Sequence, residues 1–201
     1  TTKGYYQSPN PGFYLGYNMP RPQLPPCMVT DLRWKSTGTF TNYERSATTT
    51  YTDGQSLLLD LTTDESLSLT GEMKPGVVYA MPVKGQTITL NGNGSLSGTM
   101  EFWKSQAGRV AVNTPMKYTG KTVVSEGALE ANTEIIGQLD LRARGTLAGN
   151  ATINDIVLEG ALNYEGGRIA PGAMSDAADN ANGYKDFAIG KIDPRIYGSF
   201  I

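Results

Sequence analysis

The sequence lacks histidine altogether and carries a single cysteine, Cys27, among its 201 residues. Histidine is the usual general base of enzymes and the commonest protein ligand of transition metals, and it is part of the Ser–His and Cys–His catalytic pairs. The chain therefore lacks all three. With one cysteine it cannot close an internal disulfide or build a metal site from two thiolates. These absences exclude most hydrolase mechanisms and disulfide-stapled scaffolds, and we expect no metal and no cofactor.

Charge and long apolar runs are also scarce. Charged residues make up 18% of the chain and its formal net charge is −2, so there is no broad basic field to attract nucleic acid or anionic lipid. No apolar run approaches the roughly 18 residues that a membrane-spanning helix needs. We therefore expect neither a nucleic-acid partner nor a membrane span. Thr1 suits a trimmed initiator methionine and a chain used without export, although a signal peptide removed before Thr1 would leave the same sequence.

Few catalytic options remain after these exclusions. Thr1 resembles a terminal nucleophile, but that chemistry belongs with long helices, which the sequence does not predict. The scattered carboxylates show no spacing that marks a glycosidase pair. The oxygen-rich segment from Asp176 to Asp186 fails the EF-hand pattern, because Ala178 and Ile189 stand where acidic ligands belong, which leaves open whether it binds calcium. We expect a protein that is not an enzyme and has no catalytic residues.

Strand-forming patterns dominate what is present. The chain has 24 glycines, is rich in Thr, Ser and Asn, and repeatedly alternates apolar with polar residues. Leu139 and Leu141, for example, alternate with Gln138, Asp140 and Arg142, which indicates a strand with one buried and one solvated face. Turn residues at Asp53-Gly54 and at 91–94 suggest hairpins, the first joining 48–52 to 55–61 and the second joining 86–90 to 96–103. The pattern predicts an all-β fold of antiparallel strands in meanders.

A Gly-x-Leu triplet recurs five times, beginning at Gly94, Gly127, Gly137, Gly145 and Gly160. Such a repeat is one signature of a β-solenoid, in which successive rungs stack. The triplets begin 33, 10, 8 and 15 residues apart, however, and this uneven spacing favours an antiparallel sandwich or barrel over a solenoid. In that fold we expect the glycines to mark β-bulges and tight curvature.

Two arms are expected to flank the β domain. Residues 1–27 form a Pro- and Tyr-rich extended arm, residues 28–167 the antiparallel β domain and residues 168–201 an extended C-terminal arm. The prolines of residues 1–27 lack backbone N–H donors, which disfavours a helix or a central strand. The aromatic side chains of the same segment carry apolar area that binding to a partner would remove from water. We expect docking to a partner through the aromatic and apolar residues of both arms, which are Tyr5, Tyr6, Phe13, Tyr14, Tyr17, Tyr197, Phe200 and Ile201.

These features favour a non-catalytic structural or assembly protein. The closest class is a virion component of a phage or other virus, such as a capsid-decorating, minor capsid or tail protein, with copies of itself and other assembly proteins as partners. The alternative is a bacterial cell-surface or secreted β-barrel module that binds a ligand or host protein. In the alternative a set of aromatic residues would line the ligand site, although they would serve equally as core: Trp34, Tyr43, Tyr51, Tyr79 and Trp103.

Overall fold

The computed structural model describes residues 31–43, 47–142, 144–159, 167–171, 188–189 and 192–195. These residues form nineteen strands and no helix. The strands are β1 (Leu32–Ser36), β2 (Thr39–Asn42), β3 (Thr48–Thr49), β4 (Leu57–Leu59), β5 (Glu65–Ser68), β6 (Glu72–Met73), β7 (Val77–Ala80), β8 (Thr87–Asn91), β9 (Ser95–Leu96), β10 (Glu101–Lys104), β11 (Arg109–Val112), β12 (Thr122–Val124), β13 (Gly127–Ala131), β14 (Ile135–Arg142), β15 (Gly145–Gly149), β16 (Thr152–Glu159), β17 (Arg168–Pro171), β18 (Ala188–Ile189) and β19 (Ile192–Arg195). The all-β prediction is confirmed.

The strands stack in parallel into a β-solenoid. The first sheet runs β4, β7, β10, β12, β14 and β16, with β18 and β19 both beside β16, and the second sheet runs β5, β8, β11, β13, β15 and β17. A third side begins with the parallel pair β6–β9 and continues through bridges from Leu96 to Met116 and from Met116 to Ile135. The chain visits the first, second and third sides in turn and then returns to the first sheet one strand further on.

The prediction of an antiparallel sandwich or barrel is therefore wrong. It rested on the uneven spacing of the Gly-x-Leu triplets, and that spacing is not the number of residues in one rung of the solenoid. Val78, Phe102, Thr122, Leu139 and Ile156 stack on one another in the first sheet, so successive rungs take 24, 20, 17 and 17 residues by their numbers. Only the strand residues must stack, and turns at the corners absorb the differences in length.

The triplets themselves belong to different sides of the solenoid. Gly127 and Gly145 stack directly in the second sheet, as do Leu129 and Leu147. The triplet at Gly94 leads into β9 on the third side, and the one at Gly137 lies in β14 of the first sheet. Gly160 lies outside the described residues. A β-bulge is confirmed only at Gly137, where the register of β14 against β16 shifts between Ile135 and Gln138.

The antiparallel pairs among the described strands are confined to the N-terminal end, where β1, β2 and β3 form a cap. Both predicted hairpins are wrong. β3 pairs with β2, while β4 after Asp53-Gly54 pairs with β1 and β7. The turn at 91–94 carries the chain around a corner into β9 rather than back along β8. In the cap the rings of Trp34 and Phe40 stack with centroids 5.7 Å apart.

Inward side chains of stacked strands form the core. Alternation along each strand sends every second residue inward, and parallel register then places equivalent residues in columns. One column of the first sheet consists of Leu32, Leu57, Val78, Phe102, Thr122, Leu139 and Ile156. Thr122 is its polar member, and its Oγ1 shares a 2.6 Å hydrogen bond with the buried hydroxyl of Tyr118.

Strands also extend past residue 167, the predicted end of the β domain. β17 pairs with β15, and β18 and β19 pair with β16, all in parallel. Cys27, the segment from Asp176 to Asp186 and all eight predicted docking residues lie outside the described residues. The described part of the chain contains no helix with the length and apolar character needed to cross a membrane.

Candidate docking surface

The outer surface of the first sheet carries a continuous row of stacked side chains. The outer row, as we call it, consists of one outward residue from each of six successive strands, in register: Leu58, Tyr79, Trp103, Val123, Asp140 and Val157. Their inward neighbours along the strands are buried or partly buried and mostly belong to the hydrophobic core, with Lys104 and Thr122 as the polar exceptions, whereas the outer row itself does not contribute to that core. The row therefore presents a mostly apolar, aromatic strip away from the core.

The outer row is withdrawn from solvent although it points outward. Relative exposure is 2% for Leu58, 7% for Tyr79, 1% for Val123, 4% for Asp140 and 1% for Val157, and only Trp103 is partly exposed. The main contacts of the first sheet with described strands are with its hydrogen-bonded neighbours and, across the core, with the second sheet. Among the described strands none packs over the outer row, so its burial marks it as a contact surface.

Charged side chains flank the apolar members of the outer row. The guanidinium of Arg142 lies 5.2 Å from the ring centroid of Trp103, and the indole Nε1 of Trp103 donates a 2.8 Å hydrogen bond to Glu101. At the N-terminal end Arg33 pairs with Asp60 at 3.5 Å. These contacts hold Trp103 in one orientation and give the strip a polar border, as interfaces commonly have.

Asp140 is the one carboxylate in the outer row, and one of its two oxygens lacks a hydrogen-bond donor. Its Oδ2 lies 3.4 Å from the ammonium of Lys121, while its buried Oδ1 accepts no hydrogen bond. Asp155, on the neighbouring strand, repeats the arrangement, since its Oδ2 accepts from Gln138 at 3.0 Å and its buried Oδ1 has no donor. A buried carboxylate oxygen without a donor is costly, which suits a surface that receives a cation or N–H group.

The structure separates the five aromatic residues that sequence analysis placed together. Trp34 is a core residue of the cap, Tyr51 packs against Phe40 and Tyr43 lies over the guanidinium of Arg33. Tyr79 and Trp103 are register neighbours in the outer row. Two of the five candidates thus share one surface.

Sequence analysis missed the apolar members of the outer row. Their signal is the absence of alternation in their strands, as in Leu57-Leu58-Leu59, Thr122-Val123-Val124 and Ile156-Val157-Leu158. A strand of a parallel sheet that is buried on both faces has such a continuous apolar sequence. The solvated face predicted for Asp140 is likewise wrong, because Asp140 is buried.

Lys104 is the most unusual titratable group of the described residues, because it points inward. Its Nζ donates to three carbonyl oxygens, those of Ser105 at 3.0 Å, Gln106 at 2.7 Å and Glu126 at 2.8 Å. Burial lowers the pKa of Lys104 to about 7, against the opposing effect of the Glu126 charge. The side chain is fully buried and its donors all meet backbone carbonyl oxygens, so Lys104 joins the backbone segments of this corner.

In the described part of the chain, no group of three or more His, Cys, Asp or Glu side chains is arranged to hold a metal ion. The backbone N–H of Lys74 and the hydroxyl of Tyr51 donate hydrogen bonds to Asp53 and lower its pKa. These bonds stabilise the turn that contains Asp53. No protein-family model, no curated protein and no solved structure matches the chain.

Proposed function

We propose that this protein is a non-catalytic structural component of an assembly, most specifically a virion, where it docks through the segments that flank its solenoid. The observation that carries the proposal is the outer row, a preformed contact strip that spans six strands on one side of the molecule. A rigid sheet that presents apolar and aromatic side chains in register suits the binding of an extended segment.

The composition of the chain supports a role in assembly over catalysis. Residues 1–27 contain six prolines and five aromatic side chains, and such a segment binds with little loss of backbone freedom because proline already restricts it. Identical subunits that exchange extended segments bury area on one another without needing a larger core. Other copies of the chain, and other proteins of the same assembly, are the partners in this proposal.

Sedimentation velocity over a range of concentrations tests the proposal. We expect the full chain to form species larger than the monomer at tens of micromolar, and a chain lacking residues 1–26 to remain monomeric with an unchanged β circular-dichroism spectrum. Negative-stain images of the full chain would show whether the larger species has closed symmetry. A full chain that stays monomeric throughout this range contradicts the proposal.

A cell-surface or secreted binding module is the second candidate, now on a solenoid instead of a barrel. It is favoured by one observation, the partly exposed ring of Trp103 beside Tyr79 in the outer row, since aromatic side chains form apolar and stacking surfaces for ligands. This candidate predicts a monomer at all concentrations whose Trp103 fluorescence changes when a ligand binds. The sedimentation experiment therefore separates the two functions.

A further inference from the structure

We infer that the occupant of the outer row is the N-terminal segment of this protein, residues 1–27. The inference deepens the proposed function by naming the surface that receives the segment. It rests on that function in one respect only, which is whether the segment on the row comes from the same copy of the chain or from a neighbouring copy.

The position of residues 1–27 in the chain is the first reason. Residues 28–31 connect this segment directly to β1, which pairs with β4, the strand that carries Leu58. The outer row therefore begins beside the point where the segment joins the solenoid. From Leu58 to Val157 it crosses five strand spacings, about 24 Å, which about seven or eight extended residues would cover.

The reach of the other segments is the second reason. Residues 196–201 follow β19, which is six strand spacings from β4, or about 29 Å, whereas six extended residues span at most about 22 Å. Residues 160–166 are tied at both ends to β16 and β17 and can loop back only about 12 Å. Leu58 and Tyr79, both buried, are thus beyond the reach of these C-terminal segments.

The connection formed by residues 172–187 is also too short. It is tied to β17 at one end and β18 at the other, so at most half of its 16 residues can extend in one direction, about 28 Å when fully stretched. That length could pass over the row as far as β7 but falls short of Leu58 on β4, which is six strand spacings or about 29 Å from β18. Of the segments compared, only residues 1–27 have the length to reach every residue of the outer row.

Chemical complementarity is the third reason. Residues 1–27 contain Lys3 and Arg21 and no acidic residue, whereas the outer face carries the buried carboxylate of Asp140 and the partly exposed carboxylate of Asp155, each with one buried oxygen that has no donor. The five aromatic side chains of the segment match the apolar strip of Leu58, Val123 and Val157. Its prolines lack the N–H groups that a strand added to a sheet edge would need, which favours a segment lying across the face.

Site-specific photo-crosslinking of the full chain tests the inference. Trp103 is replaced by benzoylphenylalanine, an aromatic residue of similar size at the one partly exposed position of the outer row. We expect crosslinked peptides that join position 103 to residues 1–27. The matched control places the same residue at Ile136, which is 41% exposed and lies outside the outer row, and should give no such peptides. Crosslinks from position 103 that involve only residues beyond 27 would overturn the inference.

An equal mixture of isotopically heavy and light chains, dissociated and reassembled before irradiation, identifies the copy that supplies the segment. Heavy–light adducts between position 103 and residues 1–27 support both the inference and assembly by segment exchange. Adducts within one copy alone support the inference and count against assembly through this segment. The two failures are therefore distinguishable.

Fluorescence quenching supplies an independent readout. Trp34 is 1% exposed, so acrylamide quenching reports mainly on Trp103, and a Trp103→Phe chain supplies the background. We expect removal of residues 1–27 to increase the quenching constant at least twofold while the circular-dichroism spectrum is retained. An unchanged constant in the folded, shortened chain contradicts the inference.

Discussion

At the residue scale, Lys104 is a buried side chain whose hydrogen bonds should contribute measurably to the free energy of unfolding. Replacing it with methionine keeps most of its volume and removes the donor to the Ser105, Gln106 and Glu126 carbonyls. Buried acceptors left without donors cost about 1–3 kcal/mol, so we expect the Lys104→Met chain to be less stable by up to about that amount near pH 9.5, where releasing the Lys104 proton on folding costs the wild-type chain little. Lys84→Met, at an exposed position, should change the free energy of unfolding by less than about 0.5 kcal/mol.

The same lysine makes stability depend on pH in a defined direction. Its pKa is about 7 in the folded chain and near 10.5 when unfolded, so between these values the unfolded chain holds a proton that the folded chain releases. The free energy of unfolding should therefore rise with pH, by up to about 1.4 kcal/mol per unit. Above pH 10 the trend reverses, because burial raises the pKa of Tyr118 and the folded chain keeps a proton that the unfolded chain loses.

Urea denaturation of the two chains at several pH values from 6.5 to 9.5 measures this effect. The free energy of unfolding of the wild-type chain, minus that of Lys104→Met, should rise steadily over this range of pH. Parallel profiles would show that Lys104 keeps its proton in the folded protein. In that case the three carbonyl acceptors outweigh the cost of burial.

At the element scale, the corners of the rungs determine which glycines are essential. Gly149 has φ near +104°, and a Cβ built on it would overlap the carbonyl oxygen of Ala131 on the preceding rung. Gly120 and Gly137 face the same restriction from the rungs before them, although without the positive φ. The stacking distance between rungs therefore leaves no space for a side chain at these positions.

Substitution at Gly149 tests this account of the corners. Gly149→Ala should lower the free energy of unfolding by at least about 2 kcal/mol, because it combines a steric overlap with a backbone conformation that alanine disfavours. Gly71→Ala is the matched control, since a Cβ there meets nothing within 4 Å. Equal losses of stability in the two chains, measured by urea denaturation, would contradict the role assigned to Gly149.

Strand content was predictable from the sequence, whereas strand direction was not. Alternation identified the inward positions Leu139 and Leu141 correctly, because the side-chain period of a strand is the same in every sheet. Parallel and antiparallel pairing differ in partners many residues apart, and the turn at 91–94 is as compatible with a corner as with a hairpin. The informative signal was the non-alternating apolar run around Leu58, Val123 and Val157, which indicates burial on both faces.

Polar ladders along one corner were equally hidden in the sequence. Asn113 donates to Asn91 at 2.7 Å, and Asn132 donates to Asn113 at 2.8 Å, each from one rung to the next. The three asparagines are 22 and 19 residues apart, so only the stacked structure reveals them as a ladder. Such side-chain amide ladders are characteristic of strands stacked in register.

At the scale of the whole molecule, the solenoid explains why the docking surface exists. Stacking in parallel register aligns one outward residue from each rung. Six residues that are far apart in the sequence therefore form one continuous row across six strands. Of the candidate site, sequence analysis found Tyr79 and Trp103 by residue type alone. It could not assign them to one surface, because their proximity depends on the pairing of β7 with β10.

The distance between spin labels on the second sheet tests the parallel solenoid most directly, since the outer row exists only if the rungs stack in this order. Ser66 and Arg168 are exposed and lie on β5 and β17, five strand spacings apart in the order β5, β8, β11, β13, β15 and β17. With cysteines at both positions in a Cys27→Ser chain, pulsed electron resonance should give a distance centred within a few ångströms of about 25 Å. A distribution centred below about 15 Å or above about 40 Å would contradict the stacked order of strands.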